Sequence, residues 1–194
     1  MTLRKINPEG KMALVLETAL TLFVRKGYHN VSIPAIVRES GVSTGAIYSY
    51  FKNKEALGQE IYEQVQDRFN QEFSARLADK TKTYDKLRAF VELIFEFAEQ
   101  EPVVMEYMLF MKHTEFLPKS VPICHSEPFQ IVRDILREGI EKKEVKEQDN
   151  FVAGISFTGV ILRAVELRLA GVYCQSLTET IDSFMENAWC AVKA

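Results

Sequence analysis

Apolar residues recur at three- and four-residue steps along most of the chain, and strand-like alternation persists nowhere. Leu16, Ala19, Leu20 and Phe23 mark one face of a helix over Met12–Lys26, and Gly27 follows as a stop. Ser32 is suited to cap a second, short helix that carries Ile33, Ile36 and Val37 and ends near Ser40 and Gly41; Pro34 is tolerated in its first turn, where an amide has no partner. Ser43 is the cap candidate for a third helix over 44–50, and Asn53 for a fourth with Leu57, Ile61 and Val65 on one side. Further helices are predicted near 54–78, 84–100, 102–112, 127–143, 149–171 and 177–192, divided by polar or proline-bearing stretches such as DKTKT and EFLPKSVPICHSEP. The fold class is all-α, and no repeat appears.

The two short helices around Gly41-Val42-Ser43 form a helix-turn-helix, and the second of them has a composition that asks for a reason. GVSTGAIYSYF holds no charge, yet it crowds Tyr48, Tyr50 and Phe51 into about one turn. A helix that enters the DNA major groove needs a small, hydrogen-bonding face at its N-terminus, where free amides also favour a phosphate or a base edge. Thr44, Gly45 and Ala46 fit that need, Ile47 and Phe51 would point back into a three-helix core, and Tyr48, Ser49 and Tyr50 would project outward. Lys52 and Lys54 then flank the patch with positive charge.

Charge is distributed in the same sense. Residues 1–54 hold eight Lys and Arg against three Glu, a net of +5; the whole chain carries −3, which leaves −8 on the rest. A basic end on an acidic body suggests that only the first quarter meets a polyanion. Composition is that of a soluble globular chain of 194 residues, with 47% apolar and 26% charged positions. The most apolar window, FVAGISFTGVIL, is followed by Arg163, Glu166 and Arg168 and falls short of a bilayer span, and the polar start MTLRKINPEGK lacks a signal-peptide core; a cytoplasmic protein without a membrane partner is expected. Cys124, Cys174 and Cys190 are scattered, so neither a disulfide framework nor a metal site is signalled. No nucleophile elbow, phosphate loop or dinucleotide fingerprint is present, which argues against an enzyme and against a bound cofactor. Two rival readings stay open: an all-helical enzyme with a borrowed helix-turn-helix, and a redox-sensing regulator acting through Cys124.

Residues 15–58, from the A-L-x-L-F-x-x-K-G-Y run at Ala19–Tyr28 through G-V-S-x-G-x-I-Y-x-Y-F-x-N-K-E-x-L at Gly41–Leu57, resemble the N-terminal DNA-binding domain of the TetR family of bacterial transcriptional regulators. Val37, Ser40 and Pro34 depart mildly from the family's second helix. The resemblance implies a DNA-binding domain over 1–54 and a larger helical domain over 55–194 for effector binding and dimerisation. It also implies backbone contacts from Ser32, Tyr48, Tyr50 and Lys54, base-edge approach by Thr44, Gly45, Ala46 and Ser49, and Ser43 as the cap of the recognition helix. Arg4 and Lys5 precede the first helix and could reach a minor groove. The expected function is that of a homodimeric repressor released from a palindromic operator by a small effector, apolar or amphipathic.

Two features of the larger domain bear on that function. Gly154 and Gly159 lie within five residues of one helix, among Ala153, Ser156 and Thr158, and glycine in a helix costs up to about 1 kcal/mol against alanine. Close approach by a second helix would explain them, so the helices near 149–171 and 177–192 are the expected dimer interface, with packing inside one subunit, or a ligand lying against the glycines, as the alternative. The segment VVMEYMLFMKHTEF mixes flexible thioethers with aromatics; Met105, Tyr107, Met108 and Met111, with Phe157, are the candidate lining of an apolar effector pocket. His113 with Glu106, or Arg163 with Glu166, could orient a ligand.

Overall fold

The computed structural model describes residues 8–118 and 120–194; Arg4 and Lys5 lie outside them. Nine α-helices make up the described residues: α1 (Pro8–Lys26), α2 (Ile33–Ser40), α3 (Thr44–Tyr50), α4 (Lys54–Leu77), α5 (Thr83–Gln100), α6 (Pro102–Phe110), α7 (Glu127–Glu141), α8 (Asn150–Leu169) and α9 (Ile181–Val192). Short 3₁₀ turns stand at Tyr28–Asn30, His113–Glu115 and Ile123–His125. Among the described residues the nearest thing to a strand is an isolated antiparallel bridge between Val145 and Lys193, which ties the chain's end to the turn after α7.

Local signals set the boundaries. The side chains of Ser32, Ser43 and Asn53 accept from the amides of Ala35, Ala46 and Ala56, capping α2, α3 and α4 in turn. Gly41 ends α2 in the left-handed conformation (φ 69°), where a side chain would be strained, and its amide donates to the Val37 carbonyl at 2.9 Å. α1 begins four residues earlier than its apolar stripe suggested, with proline in the first turn, where a missing donor is harmless.

Two boundaries differ for reasons in the tertiary structure. α6 stops at Phe110 rather than 112, because Met111 turns extended (ψ 136°) and the next residues coil into the His113–Glu115 turn. α9 starts at Ile181, not 177. The Leu177 amide donates at 2.8 Å to Glu99 of α5, whose carboxylate is also held in a two-point pair by Arg168 of α8 at 2.8 and 2.9 Å. A carboxylate distant in sequence thus takes the donor that a local turn would have used. Arg168 holds that carboxylate below the usual acid range.

Apolar burial falls into two connected clusters. α5 runs through the larger one, with Leu87, Phe90, Val91, Leu93 and Ile94 sealed from solvent and α4, α6, α7, α8 and α9 packed around it. The smaller cluster joins α1, α2, α3 and the start of α4 around Phe23, Ile36, Ile47 and Leu57, and it includes one residue of α6, Tyr107. Val65 and Val104 pack against both. Packing therefore does not divide at residue 54: α4 leaves the smaller cluster through Leu57 and Ile61 and enters the larger through Phe69 and Phe73.

α8 differs from expectation in one respect. Its mean hydropathy of 1.4 over 18 residues reaches what a membrane span requires by length and composition, although 39% of that window is buried inside the fold against neighbours that include α5, α7 and α9. Its outer face stays apolar, with Val152 51% and Ile155 59% exposed. The two glycines separate here. A methyl on Gly154 would sit 3.1 Å from Cγ of Arg133 within the same chain, whereas one on Gly159 would meet nothing within 4 Å.

Gly139 of α7 has the closest neighbours of the described glycines. A methyl there would come within 2.7 Å of Val145 and 2.8 Å of Thr83, the residue whose amide is held by Glu144. Gly139→Ala is expected to lower unfolding stability by about 1–3 kcal/mol despite the better helix propensity of alanine, measured by urea denaturation followed by circular dichroism.

Candidate nucleic-acid interface

α2 and α3 hold each other through Ile36, Val42 and Ile47, all buried, and Phe51 closes the base of the motif. The Ser40 hydroxyl accepts from the Val42 amide at 3.2 Å, which fixes the turn between the helices. With Ile47 and Phe51 committed to the core, the opposite face of α3 is set by helical geometry. Thr44, Gly45 and Ser49 are exposed, Ala46 is half-buried, and Tyr48 and Tyr50 stand 52% and 47% exposed. The patch predicted from sequence is thus one continuous surface. No acidic side chain falls between Glu39 and Glu55.

Several of its groups are partly spoken for. Ser43 spends its oxygen on the Ala46 amide at 3.4 Å, and the Ser49 hydroxyl donates to the Ala46 carbonyl at 2.7 Å, leaving its lone pairs outward. Ser32 is exposed, with its oxygen turned to the Ala35 amide at 3.3 Å. Lys52 projects into solvent beside α3.

Lys54 is placed differently from what its position in the motif suggested. Its ammonium donates to the carbonyls of Tyr28 and Val31, each at 2.9 Å, and stands 4.1 Å from the centre of the Tyr28 ring. Two of its three N–H groups close the turn after α1, and a single one is left to reach a phosphate. Burial pulls its pKa down, against Glu55, which raises it. A cation in the first turn of a helix opposes the helix dipole, and that mismatch was the signal in the sequence for a second task. The clasp also depends on residues that sequence reasoning passed over: Phe116 stacks on Tyr28 with centroids 4.1 Å apart and planes 16° from parallel.

The candidate effector residues do not line one pocket. Met105 and Phe157 are filled core of the larger cluster, and Tyr107 is core of the smaller one, its hydroxyl donating to the Gly58 carbonyl at 3.3 Å. Met108 and Met111 do reach a cavity of about 210 Å³, which they share with Tyr62, Gln66 and His113. The grouping failed because α6 ends between Met108 and Met111 and because its successive faces belong to different cores. A further crevice of about 340 Å³ lies where α1 meets α4, α5 and α6, walled by Leu16, Leu20, Ile61 and Val65 with Arg68 at hand. Glu106 is exposed, and Arg163 pairs with Glu166 at 2.7 Å on the surface. No cluster of three metal-ligating side chains occurs among the described residues.

A helix-turn-helix with an exposed, uncharged face on its second helix defines a DNA-binding regulator. Residues 15–61 match the family model described as bacterial regulatory proteins, tetR family. Over 140 residues the chain is 26% identical to the fatty acid metabolism regulator protein of Bacillus subtilis (strain 168), covering 71% of this chain and 72% of that protein. Its fold is similar to a TetR family transcription regulator from Marinobacter aquaeolei VT8 (TM-score 0.81, 18% identity, 95% and 96% of the two chains). It is also similar to the transcriptional regulator FadR from Bacillus subtilis in complex with stearoyl-CoA (TM-score 0.72, 21% identity, 92% and 98%). The family match runs from Val15 in α1 to Ile61 in α4, and the likeness in fold extends over nearly the whole chain.

Removing the clasp tests the reassignment of Lys54. Lys54→Met is expected to lower thermal stability by about 1–3 kcal/mol, since two buried carbonyls lose a charged donor; a variant as stable as the parent in differential scanning calorimetry would return Lys54 to a purely DNA-facing role.

Proposed function

We propose that the protein is a homodimeric repressor that holds a palindromic operator through α3 and lets go when a small apolar or amphipathic molecule occupies the region behind α4 and α6. The observation that carries the DNA-binding half is the continuous neutral face of Thr44, Gly45, Tyr48 and Ser49, with Ala46 at its edge, set on a domain whose net charge is +5 over residues 1–54. In this reading Thr44, Gly45, Ala46 and Ser49 approach base edges. Tyr48, Tyr50, Lys52, Ser32 and the remaining N–H of Lys54 go to phosphates, and Ser43 keeps the helix N-terminus in place. Such a protein works on bacterial DNA, hence in the cytoplasm.

Dimerisation through α8 and α9 is supported by the exposed stripe of Val152, Ile155 and Gly159, spaced by three and four residues, with the small and polar Ser183, Asn187 and Cys190 exposed on α9 alongside. Gly159 leaves room for a close helix, which the chain itself does not fill. Two-fold symmetry would then present two α3 helices to successive major grooves. Release needs an effector that prefers a conformer in which they no longer match; reversing a 1:99 population takes about a 10⁴-fold preference. The acyl-CoA bound to the Bacillus subtilis neighbour supports an apolar or amphipathic effector here.

Selection of duplexes from a random pool tests the operator. On the duplex so recovered, Tyr48→Ala is expected to weaken binding at least about tenfold by fluorescence polarisation, with the dimer intact, and Lys52→Ala to reduce the log–log salt slope by about one; unchanged binding in both rejects the interface.

Ile155→Glu tests the dimer. Sedimentation velocity is expected to show a monomer that still folds and that has lost two-half-site binding, whereas a persistent dimer places the interface elsewhere.

A further inference from the structure

His113 is the one histidine whose ring the fold encloses. It is 6% exposed, and its Nε2 is buried with no hydrogen-bond partner within the protein. Buried polar atoms are almost always partnered, because leaving one unpaired costs about 1–3 kcal/mol. The ring is packed among Tyr62, Tyr107 and Phe116, at centroid distances of 4.9, 4.6 and 5.7 Å, and it also lines the cavity of about 210 Å³ behind α4 and α6.

We propose that this cavity, walled by Met108, Met111, His113 and Ile123, binds a compact, uncharged, largely apolar molecule whose single hydroxyl or amide group meets the imidazole of His113. The inference rests on the regulator reading above and gives it an effector class and a site. The chemistry of the wall sets the class. Burial pushes the His113 pKa down to about 4, so the ring is neutral near pH 7 and offers one donor or one acceptor, not a charge. At the rim Lys112 pairs with Glu115 at 3.3 Å, so among the described residues that line the cavity there is no lone charge for an ionic ligand. The volume suits a substituted ring, and it lies below the range of pockets that hold drug-sized or long-chain ligands.

The same residue is wired to the DNA-binding domain. The amides of Phe116 and Leu117 both donate to the His113 carbonyl, at 3.0 and 2.7 Å, so the turn moves with His113. Phe116 lies flat on Tyr28, whose carbonyl holds Lys54, and Leu117 packs so near Gly58 of α4 that a methyl there would meet it at 3.3 Å. A molecule that shifts His113 therefore shifts the contacts that seat α4 beneath α3.

The test uses the full-length protein with its methionine methyls labelled with carbon-13, titrated with 4-propylphenol and, separately, with propylbenzene. The phenol is expected to move the Met108 and Met111 methyl signals while Met185, on the buried face of α9, stays still. His113→Phe keeps the aromatic packing and is expected to weaken phenol binding about tenfold toward that of propylbenzene, the loss of about one hydrogen bond. No movement at Met108 and Met111, or equal binding of phenol and propylbenzene to the parent protein, overturns the site. Release of the selected duplex by the phenol, abolished by Phe116→Ala while the methyl shifts remain, supports the relay; phenol binding without any change in duplex affinity overturns its effector role. The methyl titration needs no DNA, so a protein that binds no duplex fails the regulator reading while the titration still decides the site.

Discussion

The ring of Tyr107 rises from α6, whose Met105, Met108 and Leu109 belong to the larger cluster, into the core built by α1 to α4, where it is fully enclosed and its hydroxyl donates to the Gly58 carbonyl. Burying a tyrosine this deep is favourable only while both the ring and its hydroxyl are satisfied, so α6 is held against the DNA-binding helices by apolar burial and a hydrogen bond together. Most else in the molecule follows from that constraint. α1 packs on α6, α4 passes continuously between the two cores, and the turn after α6 is drawn against Tyr28. The DNA-binding helices are not a bead on a linker, because they share a side chain with the body.

This arrangement divides labour between charge and shape. Cations near α3 are few, and one of them, Lys54, is largely consumed in holding the turn after α1. In the proposed reading the face offered to DNA is made of hydroxyls, a glycine and a methyl, which permit close approach without desolvating an ion. Long-range attraction would then come from the net charge of the whole first quarter, and discrimination from short contacts at the helix. The body is acidic, which disfavours lying along a polyanion and agrees with α3 as the proposed contact.

Much of this was legible in the sequence because it is local. The caps at Ser32, Ser43 and Asn53, the stop at Gly41, and the inward pair Ile47 and Phe51 each depend on neighbours within one or two turns. What the pattern did not reveal depends on partners far along the chain. Lys54 reads as a groove-flanking cation until the Tyr28 and Val31 carbonyls, more than 20 residues earlier, are brought beneath it. The methionine and aromatic run of α6 reads as one apolar stripe, yet Met105 and Tyr107 enter different cores, and Met111 leaves the helix altogether. Leu177 shows the same limit, since the acceptor for its amide comes from α5. The doubled glycines of α8 were read as a unit, and the fold splits them: one accommodates Arg133, the other faces outward.

Gly45, in the first turn of α3, has nothing within 4 Å of where a side chain would begin. The fold does not require glycine there, and the helix would gain up to about 1 kcal/mol from alanine. Residue identity at this point is consequently decoupled from folding: with α3 reading the operator as proposed, a larger group would alter which base pairs are tolerated while meeting no internal neighbour within 4 Å. A duplicated copy of this chain could acquire a new DNA target by drift at one codon while its scaffold stayed as it is.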